Sequence, residues 1–133
     1  MKTRVRAVII EQGKILLVHR VKPMKEYWVF PGGGLEENDV SPQLGLVREC
    51  REEIGVTVEV GELLMEEPLG QDQIELFFRC CIVDGKVGTG TGPEFSRDKT
   101  ISGTYGLEWL DTKNLNGLDL QPERLKTLIP LLD

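Results

Sequence analysis

Three glutamates near the middle of the chain, Glu49, Glu52 and Glu53, are spaced so that one α-helix would gather their side chains. Positions i, i+3 and i+4 share one face because an α-helix has about 3.6 residues per turn. Carboxylates gathered in this way repel one another unless a cation joins them, which predicts a site for a divalent metal ion. Arg48 lies four residues before Glu52 and can hold its carboxylate. The alternative is a solvated helix face without chemistry, the usual reason for charged residues on a helix.

The helix that carries these glutamates is marked at both ends. Ser41 is placed as the N-cap, Pro42 follows at the first helical position, and Gly55 lies just past the last turn. The glutamates therefore fall in the second half of the helix, close to the negative end of its dipole. A helix selected for stability alone would carry lysine or arginine there, so the acidic cluster favours the functional interpretation.

A strand and a glycine loop precede this helix. The segment Tyr27 to Glu36 reads Y-W-V-F-P-G-G-G-L-E, an aromatic and β-branched run that stops at a proline and three glycines. Gly32, Gly33 and Gly34 would let the backbone approach a ligand or an ion without a Cβ in the way. An ordinary turn is the alternative for such a run of glycines.

Together these residues resemble the signature of the Nudix hydrolase superfamily, G-x5-E-x7-R-E-U-x-E-E-x-G-U, in which U is a bulky aliphatic residue. The second half matches from Arg48 through Val56, with Cys50 as the one soft substitution. The first half departs from the pattern, because Val40 occupies the place of the first glutamate and Asp39 lies one residue earlier. A one-residue insertion between the loop and the helix, with Asp39 in the place of the glutamate, is the simplest account. In the family that glutamate mainly supports the loop, so the departure concerns loop geometry more than catalysis.

The resemblance implies an α/β fold, a Nudix-type α/β/α sandwich whose mixed, mostly antiparallel sheet lies between helices, in one domain over residues 1–133. It also implies Mg²⁺ or Mn²⁺ as the cofactor, held by Glu49, Glu52 and Glu53 with the backbone carbonyl of Gly32 as a further ligand. Arg48 would orient these groups. Hard cations of this kind prefer oxygen ligands, neutralise phosphates and lower the pKa of a bound water.

The group that takes the proton from water is left open by the resemblance. The family uses either a glutamate of the motif or one from a distant loop, and Glu94 in G-T-G-T-G-P-E-F is the candidate of the second kind. A solvated loop acid is the alternative for Glu94.

Candidate substrate-binding residues are Arg20 for a phosphate, Trp28 with its neighbours Tyr27 and Phe30 for base stacking, and the backbone of Gly33 and Gly34. Arg20 is as well explained as a surface arginine. Alternate residues of a strand point to opposite faces, so at least one aromatic residue of the run Tyr27 to Phe30 is expected in the core.

The expected reaction is hydrolysis of the diphosphate linkage in a small nucleoside diphosphate derivative. Family subgroups that act on ADP-ribose or dinucleoside polyphosphates carry proline or tyrosine shortly after the motif, where this chain has Asp72, Gln73 and Ile74. The chain looks more like the MutT-like branch, which converts nucleoside triphosphates, including oxidised ones, to the monophosphate and pyrophosphate. Two alternatives remain, a hydrolase of nucleotide sugars or other nucleoside diphosphate derivatives, and a nucleotide-binding module without turnover.

Composition limits the partners. Among 133 residues, 22 are acidic and 16 are basic, so the net charge of −6 argues against binding of a nucleic-acid polymer. No apolar run is long enough to span a membrane and the N-terminus leads directly into a strand, so a cytoplasmic protein is expected. A homodimer is possible.

Three cysteines, two of them adjacent at Cys80 and Cys81, predict reduced thiols. The single histidine, His19, is better explained as an incidental polar residue than as a zinc ligand.

The remaining elements follow from the periodicity of apolar residues. The sequence predicts strands at Arg4 to Ile10, Lys14 to His19, Tyr27 to Phe30, Thr57 to Met65, Ile74 to Val83 and Gly103 to Leu110, helices at Ser41 to Ile54 and Pro122 to Leu132, and a loop at Asp84 to Lys99.

Overall fold

A computed structural model describes residues 2–88 and 104–132. Within these ranges the chain forms seven strands, two α-helices and a terminal 3₁₀-helix. In chain order they are β1 (Lys2–Glu11), β2 (Lys14–Lys22), β3 (Lys25–Val29), β4 (Gly32–Gly34), α1 (Pro42–Ile54), β5 (Val56–Leu69), β6 (Gln73–Gly85), β7 (Thr104–Asp111), α2 (Glu123–Leu128) and the 3₁₀-helix Ile129–Leu132.

The strands form one mixed sheet in the order β3-β2-β1-β6-β5, with β7 paired to β2 and β4 paired to β1. Within the described ranges β1 and β6 run parallel, whereas the other paired strands run antiparallel. One edge of β1 pairs with β6 along most of its length, so β2 and β4 share the other edge. This sharing opens the sheet beside β4, where the candidate site lies. The prediction of a mixed, mostly antiparallel sheet is confirmed.

Two apolar cores cover the two faces of the sheet. Alternate residues of β1 point to opposite faces, so Val5 and Ala7 pack in the core beneath α1, whereas Val8 packs in the core beside α2. Leu46 and Ile54 bring α1 into the first core, and Leu125 brings α2 into the second. The resulting layers are helix, sheet and helix, which is the predicted sandwich.

The predicted ends of α1 are confirmed. Ser41 has an extended backbone and its side-chain oxygen accepts a hydrogen bond from the Leu44 N–H at 3.1 Å. Pro42 occupies the first turn, and Gly55 ends the helix with a φ of 80°, a left-handed conformation that favours glycine.

Several strands differ from the prediction in their ends, and two elements differ in type. The glycine run forms the short strand β4, because its backbone pairs with Arg4 to Arg6 of β1 although glycine itself does not favour strands. The closing helix is shorter than predicted and continues from Ile129 as a 3₁₀-helix. Pro130 explains the change, because proline lacks the N–H that an α-helical hydrogen bond requires.

The three cysteines are free, as predicted. Burial raises the pKa of the Cys50 thiol and raises that of Cys80 to about 12, so both buried thiols are protonated at neutral pH. Among residues 2–88 and 104–132, no helix is long and apolar enough to cross a lipid bilayer.

Candidate active site

A cleft of about 530 Å³ opens between the strand β4 and the second half of α1. It brings together most of the residues that the sequence singled out. The predicted residues that line it are Arg20, Gly32, Gly33, Gly34, Arg48, Glu49, Glu52 and Glu53. Glu94 lies outside the described residues, and Trp28 lies outside the cleft.

The glycine strand lies directly against the acidic face of α1. The Gly32 N–H donates a hydrogen bond to Glu53 Oε1 at 2.9 Å. Gly32 has a φ of 144°, and a Cβ at this position would lie 1.9 Å from the Val5 carbonyl oxygen. A Cβ on Gly33 would lie 2.5 Å from Glu49 Oε2. The pairing of β4 with β1 therefore requires glycine at position 32, and glycine at position 33 leaves room for the Glu49 carboxylate against β4.

Arg48 connects the glutamates to the loop before the helix. Its Nη1 donates to Glu52 Oε2 at 2.9 Å, the contact that the spacing of four residues predicts. Its Nη2 lies 3.2 Å from Glu49 Oε1 and donates to the Gly34 carbonyl oxygen at 3.4 Å. The hydrogen bond to Asp39, with the neighbouring carboxylates, raises the pKa of Arg48 despite its partial burial. Arg48 is thus a fixed cation that orients two of the three glutamates.

Asp39 holds Arg48 from the other side. Its Oδ1 and Oδ2 accept from Arg48 Nε at 3.0 Å and Nη2 at 2.8 Å, and Oδ2 also accepts from the Glu36 N–H at 2.8 Å. The Asp39 side chain is 7% exposed, whereas Val40 is 87% exposed. The residue that supports the loop is therefore Asp39, one position before the place where the family signature has its glutamate.

The three glutamates suit a divalent cation in donor type and in the cleft wall that they share. They do not converge on one point: in the described part of the chain, no three Asp, Glu, His or Cys side chains are grouped closely enough to hold a metal ion. Glu52 instead faces Arg48, and Glu53 accepts from Gly32. An ion at this face therefore requires these carboxylates to turn from their present partners toward one another.

The cleft also contains residues that the sequence analysis missed. Arg4 and Arg6 of β1 line it, together with Val29 and Glu36. The two arginines alternate along a strand, so their side chains share one face. That alternation was the available signal, but the sequence does not say that these two arginines line the same cleft as the glutamates of α1.

Of the three aromatic candidates, Tyr27 lines the cleft, whereas Trp28 and Phe30 do not. The Trp28 ring is buried and stacks on the His19 ring, with 3.8 Å between the ring centroids. The two ring nitrogens of His19 lie 2.7 Å from Glu108 Oε2 and 2.9 Å from Glu26 Oε1. His19 is therefore a structural residue that bridges two acidic side chains, and Trp28 packs beneath it. Trp28 also borders a smaller pocket of about 200 Å³ beside the cleft.

Comparisons with known proteins agree with this geometry. The chain is 32% identical over 104 residues to a MutT-like protein of Streptomyces ambofaciens, a match that covers 77% of this chain and 58% of that protein. It is 45% identical over 60 residues to the CTP pyrophosphohydrolase of Escherichia coli K12, a match that covers 44% of each protein. The chain thus matches little more than half the length of these curated relatives, or less.

The fold has counterparts among solved structures. A hydrolase of the NUDIX family from Clostridium perfringens superposes with a TM-score of 0.71 at 19% identity, covering 98% of this chain and 97% of that chain. The model of the NUDIX domain matches residues 1–131. The chain therefore belongs to the NUDIX domain family.

Proposed function

We propose that the protein is a metal-dependent pyrophosphohydrolase that converts a ribo- or deoxyribonucleoside triphosphate to the monophosphate and pyrophosphate. The observation that carries the proposal is the meeting of opposite charges in one cleft, with three glutamates on α1 and the arginines Arg4, Arg6 and Arg20 around the glycine strand. Carboxylates suit a divalent cation, and arginines suit the phosphates that such a cation accompanies. The MutT-like and CTP-hydrolysing relatives support the same reaction.

In this proposal Glu49, Glu52 and Glu53 hold Mg²⁺ or Mn²⁺, with the Gly32 carbonyl as a further ligand. When bound, the ion neutralises phosphate charge and acidifies a water molecule. Arg48 positions Glu49 and Glu52 through the contacts described above.

The proton of the attacking water passes to a glutamate of the motif or to Glu94. Arg20 binds a phosphate, a role supported by its place in the cleft wall. The backbone of Gly33 and Gly34 borders the same space, where no side chain of β4 obstructs a phosphate chain.

A panel of substrates with identified products tests this proposal. Purified protein with Mg²⁺ or Mn²⁺ is offered nucleoside triphosphates, diphosphates and nucleotide sugars, and the products are resolved by chromatography and ³¹P NMR. We expect a nucleoside monophosphate and pyrophosphate from a triphosphate. A sugar phosphate as the main product would instead assign a nucleotide-sugar hydrolase. Binding of a nucleotide without any product would assign a binding module.

A further inference from the structure

Arg4 lines the cleft and has no hydrogen-bond or ion-pair partner among residues 2–88 and 104–132. Arg4 and Arg6 are two residues apart on β1 and share the face that lines the cleft, while Val5 between them is buried beneath α1. Arg6 already has internal partners, because its Nε donates to Glu75 Oε2 at 2.6 Å and its Nη1 donates to the Phe30 carbonyl oxygen at 2.9 Å. Across residues 2–88 and 104–132, the Arg4 guanidinium takes part in no hydrogen bond or ion pair.

The strand register explains why Arg4 lacks an internal partner. On one side it lies opposite Gly34 of β4, which has no side chain, and a Cβ built there would have no other atom within 4 Å. On the other side it lies opposite Glu75 of β6, whose carboxylate is taken by Arg6. Arg4, whose guanidinium carries five N–H donors, therefore lines the cleft beside the bare glycine strand, an arrangement that suits a phosphate.

The side chains of α1 that contact β4 are arranged in order along this strand. Glu53 contacts Gly32, Glu49 lies over Gly33, and Arg48 reaches Gly34. These three residues of α1 thus follow the glycine strand in order, from Glu53 at the position beside Arg6 to Arg48 at the position beside Arg4. A phosphate chain laid along β4 would meet them in succession.

The smaller pocket beside the Arg6 end of the cleft suits the nucleoside. Its lining includes four aromatic residues, Tyr27, Trp28, Phe30 and Phe77. The last three are buried, whereas the half-buried Tyr27 offers a ring on which a nucleobase can stack. This pocket shares Arg6 with the main cleft, whereas Arg4 borders the main cleft alone. With the base at the Arg6 end, successive phosphates lead along β4 toward Arg4. A rise of about 3.3 to 3.4 Å per residue places the Arg4 Cα about 6.7 Å beyond that of Arg6.

We propose that Arg4 binds the terminal phosphate of a nucleoside triphosphate and thereby makes the enzyme prefer triphosphates over diphosphates. This inference rests on the proposed function and names the group that selects for the third phosphate. A diphosphate bound with its base in the same pocket ends short of Arg4.

The test compares CTP with CDP as substrates for the wild type, Arg4→Gln and Arg4→Lys. Arg124→Gln is the matched control, because Arg124 is 66% exposed and pairs with Glu67 outside the cleft. We expect Arg4→Gln to lower kcat/KM for CTP by about 10- to 100-fold, the loss typical of a charge-assisted hydrogen-bonded contact. The kcat/KM of Arg4→Gln for CDP should change by less than about threefold. For CTP, the kcat/KM of Arg4→Lys should lie between those of the wild type and Arg4→Gln. Arg124→Gln should match the wild type on both substrates.

A binding measurement separates this inference from the proposed function. Inorganic tripolyphosphate is titrated into the metal-free wild type and Arg4→Gln by calorimetry, and circular dichroism checks that the variant is folded. We expect weaker binding to folded Arg4→Gln, and this result stands even if the wild type hydrolyses no nucleotide, which would overturn the proposed function alone. Equal losses for CTP and CDP, or unchanged binding of tripolyphosphate, would overturn the role of Arg4.

Discussion

Arg48 and Asp39 form a two-point ion pair, in which Nε and Nη2 of the guanidinium lie 3.0 Å and 2.8 Å from the two carboxylate oxygens. The same guanidinium reaches Glu52 at 2.9 Å, so one arginine ties the loop before α1 to the acidic face of the helix. Parallel N–H···O bonds of this kind fix orientation as well as distance. The family signature is irregular at Asp39 and Val40, yet the loop contact is made.

Removing this pair should destabilise the protein. We expect Asp39→Asn to lower the free energy of unfolding by about 1 to 3 kcal/mol, because Arg48 would lose a charged partner in a partly buried site. Val40→Ala is the control, and since Val40 is 87% exposed the change should cost less than about 0.5 kcal/mol. Urea unfolding of the metal-free proteins measures both values. A larger loss for Val40→Ala than for Asp39→Asn would contradict this assignment.

The stability contributed by Asp39 should depend on pH. The hydrogen bond from Arg48, followed by that from the Glu36 N–H, holds the pKa of the Asp39 carboxyl below its usual value of 3.8. The folded protein therefore binds fewer protons at this group than the unfolded chain does, so its contribution is complete above about pH 5 and declines as the pH falls through the lowered pKa.

Unfolding of the wild type and Asp39→Asn at a series of pH values checks this prediction. The difference between their unfolding free energies should be steady from about pH 7 to 5 and should shrink below about pH 4. A difference that grows on acidification would show that Arg48 does not favour the ionised carboxyl.

Gly33→Ala should impair turnover without unfolding the protein. The new Cβ would meet the Glu49 carboxylate at 2.5 Å, and that flexible end of the side chain can move away from it. Displacement of one carboxylate by about 1 Å should lower kcat/KM by about 10- to 100-fold. Gly106→Ala in β7 is the control, because a Cβ there has no other atom within 4 Å. Equal activity of the two variants, measured at saturating Mg²⁺, would mean that the position of Glu49 does not matter.

The sequence predicted the parts of the site that depend on local spacing. The glutamate face of α1, its caps and the Arg48–Glu52 contact all follow from the helical repeat and from capping residues. The arginines of β1 that line the cleft were missed, because their place beside the glutamates depends on the pairing of β1 with β4 and β6. The sequence could not say which of Tyr27, Trp28 and Phe30 borders the cleft, because alternate strand residues point to opposite faces and only tertiary packing distinguishes them.

The central claim is that the glutamates of α1 bind a catalytic metal ion, and Glu53→Gln tests it most directly. Glutamine keeps an oxygen that can accept the Gly32 hydrogen bond but removes the charge that a cation requires, so the fold should persist. Glu59→Gln on the exposed side of β5 is the matched control. The rate of pyrophosphate release from CTP is measured at increasing Mg²⁺ for both variants and the wild type. The account predicts at least about a 100-fold loss for Glu53→Gln and none for Glu59→Gln. Turnover by Glu53→Gln at the wild-type rate and Mg²⁺ dependence would contradict it.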